Sequence, residues 1–178
     1  IEYEGLTFVD AINELANSIG LKVPNDAPQK LEKSSEYSNL EEVIKIASIF
    51  YQKQLRESPK AINYLKSRGL TGEIAKEFSI GYAPEGWQNL KIPFEKYEDQ
   101  ILVKAGLVVK NEKNKYYDRF RDRIIFPIYS DKGKIIGFGG RVIDPESTPK
   151  YYNSPETPLF QKSYELYGLL SARKPIRE

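Results

Sequence analysis

Over the first eighty residues the apolar positions recur at helical spacing. Beyond about residue 120 they recur every second place, as in strands. Thr7 can cap a helix that Asp10 answers in a capping-box manner, and Phe8, Ile12, Leu15, Ala16 and Ile19 then share one face up to Gly20. Pro24 to Ser38 is polar and holds Pro24 and Pro28, which predicts a linker over 24–37. Ser38 opens the next predicted helix, with Glu41 three places on. Its apolar stripe runs through Leu40, Val43, Ile44, Ala47, Phe50, Tyr51 and Leu55. Ser58-Pro59 restarts the helix with a cap and a first-turn proline, Ile62 and Leu65 point inward, and Gly69 stops it. Thr71 caps a short helix bearing Ile74, Ala75 and Phe78, closed by Gly81. A further one runs from about Lys96 to Lys104, ahead of Gly106.

The later segment "RIIFPIYSDKGKIIGFGGRVI" reads as a β-hairpin: Ile124–Tyr129 and Lys134–Phe138 joined by Asp131-Lys132-Gly133. Tyr116 and Tyr117 begin an earlier strand. Residues 144–162 are too rich in Pro, Ser and Asn for regular structure. They are expected to form a long ordered loop anchored by Tyr152, Pro155, Pro158, Leu159 and Phe160. The expected fold class is α+β, a helical cluster followed by a small antiparallel-rich sheet with that loop.

Composition narrows the chemistry. The 178 residues are 40% hydrophobic and 29% charged, and they contain no Cys and no His. Thiolate metal sites, disulfides, imidazole bases and Ser/His triads are therefore excluded within this chain. Met is absent even at position 1, so the chain is expected to be a piece of a longer protein. No apolar run is long enough to span a bilayer, and no membrane partner is expected. The net charge of +2 is unevenly spread. Residues 1–112 carry 14 Lys and Arg against 17 Asp and Glu, whereas 113–174 carry 12 against 7. The basic excess points to a polyanionic ligand of the later segment.

Three motifs stand in that segment. In "YYDRFRDRIIFPI", Arg119, Arg121 and Arg123 alternate. On a strand they would line one face about 6–7 Å apart, with Asp118 and Asp122 opposite. In "IGFGGR", Gly137, Gly139 and Gly140 bare the backbone at a strand end before Arg141. Such glycines serve either a close ligand approach or a tight internal crossing. "TPKYYNSPET" joins Lys150, Tyr151, Asn153 and Ser154, a cation, a stacking ring and short polar groups suited to an unpaired nucleotide. One of the two tyrosines is expected to plug the core. Lys162 adds a cation. No carboxylate pair has the spacing of a two-metal site, so neither a metal site nor a catalytic residue is expected in this chain.

The runs "TFVDAINELANSIGL", "YLKSRGL", "EFSIGYAPEGW", "YDRFRDRIIFPI", "KGKIIGFGGRVI", "TPKYYNSPET" and "LFQKSYELYGL" closely resemble the bacterial replicative DNA primase of the DnaG type, and they cover most of residues 1–170 in order. The resemblance implies the N-terminal subdomain of that enzyme's RNA-polymerase core over 38–170. It further implies a helical strap over 1–23 to a zinc-binding module and, over 171–178, the start of a connection to a Toprim domain.

By the same resemblance, the parent would be a nucleotidyltransferase that makes RNA primers in the bacterial cytoplasm at the replication fork. Mg²⁺ or Mn²⁺ would sit in its Toprim domain and Zn²⁺ in its zinc module. Partners implied are single-stranded DNA template, RNA–DNA hybrid, ribonucleoside triphosphates and, through a C-terminal part, the replicative helicase. This segment alone would bind no cofactor and be inactive. Arg68, Arg119, Arg121, Arg141, Lys150, Tyr151, Asn153 and Lys162 match ridge, cleft and nucleotide-path positions of that family, with Arg123 beside them. Tyr152 stands where Leu is more usual, and Ser163 where Gly is. The alternative reading is a non-enzymatic single-strand-binding or docking module.

Overall fold

The computed structural model describes the backbone of residues 27–163 and the side chains of 35–163. The strap helix over 1–23 and the connection over 171–178 lie outside the described residues. The chain divides into two compact units, Ile1–Ser35 and Glu36–Glu178. Of the first, the described part is the helical backbone of 27–35.

Helix α1 covers Ala27–Glu57. It begins at Ala27 rather than at Ser38, so residues 27–37 are helical backbone where an irregular polar segment was expected. The reason is local. Pro28 falls in the first turn, where a proline costs little, and Gln29-Lys30-Leu31-Glu32-Lys33 are all strong helix formers. The apolar stripe lies where its period put it: Leu40, Ile44, Ala47, Phe50, Tyr51 and Leu55 are buried.

Helix α2, Pro59–Ser67, is capped by Ser58, whose hydroxyl accepts from the Ala61 N–H at 3.2 Å. Thr71 caps α3, Gly72–Glu77, in the same way through Ile74. Gly81 does not close α3; it opens strand β1, Gly81–Ala83. The helix expected over Lys96–Lys104 is shorter: Asp99 accepts from the Ile101 N–H and confines α4 to Gln100–Lys104.

Strands β2 (Val108–Lys110) and β3 (Tyr116–Asp118) pair by themselves. A four-stranded antiparallel sheet holds β1, β4 (Arg123–Tyr129), β5 (Ile135–Val142) and β6 (Tyr151–Asn153), in the order β1-β4-β5-β6. The β4–β5 turn uses Gly133 at φ 76°, as the hairpin reading requires. The α+β class is thus the observed one. Two expectations are corrected. The glycines of "GFGG" lie inside β5 rather than at its end, and Tyr151–Asn153 form an edge strand inside the supposed loop. Pairing with a preformed β5 overrides the weak local preference of this Pro- and Asn-rich segment.

Alternate residues along the sheet divide the core. Ala83, Ile125 and Phe138 join α1 in the larger cluster, whereas Tyr82 and Ile124 join Ala61 and Leu65 of α2 in the smaller one. Helix α1 lies so close to β1 that a Cβ on Gly81 would sit 2.6 Å from Tyr51 Cβ and 2.8 Å from its carbonyl carbon. Gly81→Ala must therefore push helix backbone away and is expected to cost about 1–3 kcal/mol. Gly72→Ala meets nothing within 4 Å at an ordinary φ and should be neutral or stabilising by up to about 1 kcal/mol. Urea unfolding of both variants checks this; equal losses would rule out the close approach.

Candidate nucleic-acid interface

The edge strand β6 organises the cations. Its register sets Tyr151 opposite Arg141, Tyr152 opposite Gly140 and Asn153 opposite Gly139. Neighbours along a strand face opposite ways, so the two adjacent tyrosines serve opposite faces of the sheet.

On one face, Arg141 lies 5.1 Å from the Tyr151 ring centroid and donates from Nη1 to the Tyr151 hydroxyl. Its Nε donates to the Tyr64 hydroxyl of α2 at 2.5 Å. The same Tyr64 ring carries Arg68 at 5.5 Å. Arg68, Arg141 and Tyr151 are thereby brought together, with Asn153 two places along the same strand face. Tyr151 is 60% exposed, enough to offer its ring to a ligand.

On the other face, Tyr152 is the tyrosine that plugs the core, edge-on to Phe120 with centroids 6.0 Å apart. Arg119 and Arg123 lie 5.8 and 5.7 Å from its ring centroid. Arg119 Nη1 donates to the Tyr152 hydroxyl at 2.9 Å, and Arg123 Nη1 to the Pro149 carbonyl at 2.9 Å. Arg119 Nε is buried with no protein partner. Phe120 fits because residue 140 is glycine: a Cβ there would stand 2.9 Å from Phe120 Cδ1. The glycines of β5 therefore make room for this chain's own rings and side chains. That is the tight-crossing reading of the motif rather than the bared-backbone one.

The expected row of three arginines on one strand does not form. Arg119 and Arg121 precede β4, and Asp122 between Arg121 and Arg123 has φ 47°. That left-handed residue breaks the two-residue alternation. Its carboxylate is held by Lys60 Nζ, 2.8 Å from both oxygens, and by the Tyr82 hydroxyl at 2.7 Å. Asp118, expected beside it on an opposing face, is instead buried. Arg121 turns to its own station, 4.3 Å from the Trp87 ring centroid and 5.2 Å from that of Tyr117, with Nη1 donating to the Asp118 carbonyl at 2.8 Å. The cations thus form stations on two faces of β6 and on the Trp87 loop rather than one file. Lys150 and Lys162 are exposed, and no ion pair holds either among the described residues. Nor is any arginine there paired with a carboxylate; the ion pairs use Lys53, Lys60, Lys104 and Lys134.

The comparisons with known proteins agree with one another. Residues 50–173 match the family model "DNA primase catalytic core, N-terminal domain". The chain belongs to that family. A DNA primase of Pseudomonas putida is 44% identical over 99% of the chain, and one from Legionella pneumophila 47% over 95%. The chain spans 28% and 29% of their lengths. A DnaG primase catalytic domain bound to single-stranded DNA superposes with a TM-score of 0.73 at 41% identity, over 80% of this chain and 47% of that one. A primase domain from Pseudomonas aeruginosa gives 0.71 at 49%, over 78% and 44%.

Within this primase domain, sequence reading assigns no role to Trp87, the single Trp. It is 65% exposed yet fixed, because the Asp118 N–H donates to its carbonyl at 2.7 Å. A lone Trp after Pro-Glu-Gly is a usable signal only when Arg121 can be placed beside it, and that contact is non-local. Beneath the station, Asp118 accepts from the Tyr97 hydroxyl at 2.7 Å and the Leu90 N–H at 3.1 Å. Burial pushes its carboxyl above the ordinary 3.8, while those hydrogen bonds pull the other way. Burial next to the same carboxylate raises the Tyr97 phenol.

Two outcomes follow from these contacts. Tyr152→Phe keeps the ring but removes the acceptor for Arg119, and is expected to cost about 1–2 kcal/mol in urea unfolding; no loss would mean the hydroxyl contact is not made in solution. A carboxyl with a raised folded value stabilises the fold while protonated and loses that contribution as pH rises through it. The stability of the unsubstituted chain relative to Asp118→Asn should therefore fall as pH climbs above the ordinary carboxylate value of 3.8. A flat or rising difference would show that the hydrogen bonds outweigh burial.

Proposed function

We propose that this domain forms a wall of the polymerase cleft of a DNA primase, guiding single-stranded template, primer–template hybrid and incoming ribonucleotides during RNA primer synthesis. The observation that carries the reading is the set of ring-held arginines without carboxylate partners among the described residues. Of these, Arg123 lies against Tyr152 but is buried and spends a donor on the Pro149 carbonyl, so it braces the surface rather than offering itself to a phosphate. Arg68 and Arg141 stand on the Tyr64–Tyr151 side, Arg119 on Tyr152, and Arg121 on Trp87. A guanidinium fixed this way keeps its charge and its fork of donors for phosphates. Lys150 and Lys162 extend the surface, while Tyr151 and Asn153 offer a stacking face and an amide to a base or ribose. The DNA-bound relative supports a single strand as the ligand.

Nucleotide joining would belong to the parent protein, with Mg²⁺ or Mn²⁺ held by a Toprim segment and Zn²⁺ by a zinc module. The residues of this chain would bind and orient the substrates. The helicase contact, the cytoplasmic setting at the replication fork and the inactivity of this segment alone belong to the same proposal.

The test is fluorescence anisotropy of a labelled single strand across a salt series. With about 4–6 phosphate contacts, log affinity should fall with log salt at a slope near −3 to −4. Arg121→Ala and Lys150→Ala should each flatten it by roughly one contact, independent of DNA sequence. An unchanged slope in both would remove these cations from the strand's path. Joining the chain to its Toprim segment with Mg²⁺ should yield template-directed ribonucleotide joining, and an inert product would count against the enzymatic reading.

A further inference from the structure

Helices α1, α2 and α3 leave between them a groove of about 580 Å³ that the nucleic-acid reading does not use. Its floor is apolar, with Leu55, Ile62, Leu65, Leu70, Ala75 and Ile80. Arg56, Lys66 and Lys76 stand among its lining residues, and no carboxylate does. All three cations are exposed, and none is ion-paired among the described residues. The walls are preformed. Ser58 and Thr71 cap α2 and α3, and the turn between these helices closes through the Leu70 N–H to the Leu65 carbonyl at 3.0 Å.

No aromatic ring lines the groove, so it lacks the stacking surface on which a nucleic-acid strand relies. Apolar depth with an all-positive polar lining is the complement of a different ligand. We propose that this groove docks an acidic amphipathic peptide segment of a partner protein. The segment's aliphatic side chains would enter over Leu55, Leu65 and Ile80 while its Asp or Glu residues meet Arg56, Lys66 and Lys76. Helix-in-groove recognition works this way: apolar anchors supply affinity and complementary charge sets orientation and partner choice. Its lining shares no residue with the Arg141–Tyr151 station, so the proposal does not rest on the nucleic-acid reading.

The probe is a labelled synthetic peptide with Leu at i, i+3, i+4 and i+7 and Glu at the remaining positions, titrated with this chain and followed by anisotropy. Saturable binding is expected. It should weaken at least about tenfold when the leucines become alanines, and again in the double variant Lys66→Glu, Lys76→Glu. A second variant is Gly72→Phe. Its Cβ position is open at an ordinary φ, so the ring can occupy the groove without straining the helix, and circular dichroism confirms the fold. It should abolish peptide binding and leave single-stranded DNA binding intact. No binding at about 1 mM peptide overturns the proposal. So does equal binding of the alanine peptide, indifference to both variants, or displacement of the peptide by single-stranded DNA.

Discussion

The guanidinium–tyrosine contact is the interaction on which the charged surface of this domain depends. An exposed ion pair and an exposed cation–π contact are of similar strength, about 0–1 kcal/mol each, but only the ion pair cancels the charge it positions. Here arginines rest on rings and donate to hydroxyls and carbonyls. The rings are in turn seated by the core. Tyr51 of α1 meets Phe138 edge-on at 5.6 Å, Phe138 meets Phe120 at 6.3 Å, and Phe120 meets Tyr152 at 6.0 Å. A relay of aromatic edges runs from helix α1 to the rim of the sheet, so the placement of Arg119 and Arg123 is inherited from core packing.

Lysines do the complementary work. Lys60 holds Asp122, Lys104 reaches Glu36 at 2.6 Å, and Lys134 reaches Glu41 at 2.6 Å. Each ties α1 or α2 to a later element through a flexible point charge. The planar guanidinium, which stacks on rings, is kept nearer the surface, except at Arg123, which is buried. The carboxylates near the arginines are occupied by other groups: Asp118 by Tyr97 and Leu90, Asp122 by Lys60 and Tyr82.

What could be read from the residues alone was whatever repeats locally. The stripe from Leu40 to Leu55, the caps at Ser58 and Thr71, the Gly133 turn and the α+β order all follow from period and capping chemistry. What could not be read depends on one residue or on a distant partner. A single left-handed Asp122 scatters three arginines that alternation would align. Strand β6 exists because β5 offers it an edge. The role of Gly140 is set by Phe120, and that of Trp87 by Arg121. The residues proposed to contact nucleic acid were legible through motif resemblance, but their grouping about β6 required the fold.

The proline content that made residues 144–162 look irregular has its own use. Pro149 and Pro155 bracket β6, and neither supplies a backbone N–H. The outer rim of the sheet therefore offers only the five residues between these prolines, Lys150–Ser154, and then stops. An edge ended by proline on both sides limits strand-to-strand pairing with a neighbouring copy at the margin where the exposed Lys150 stands.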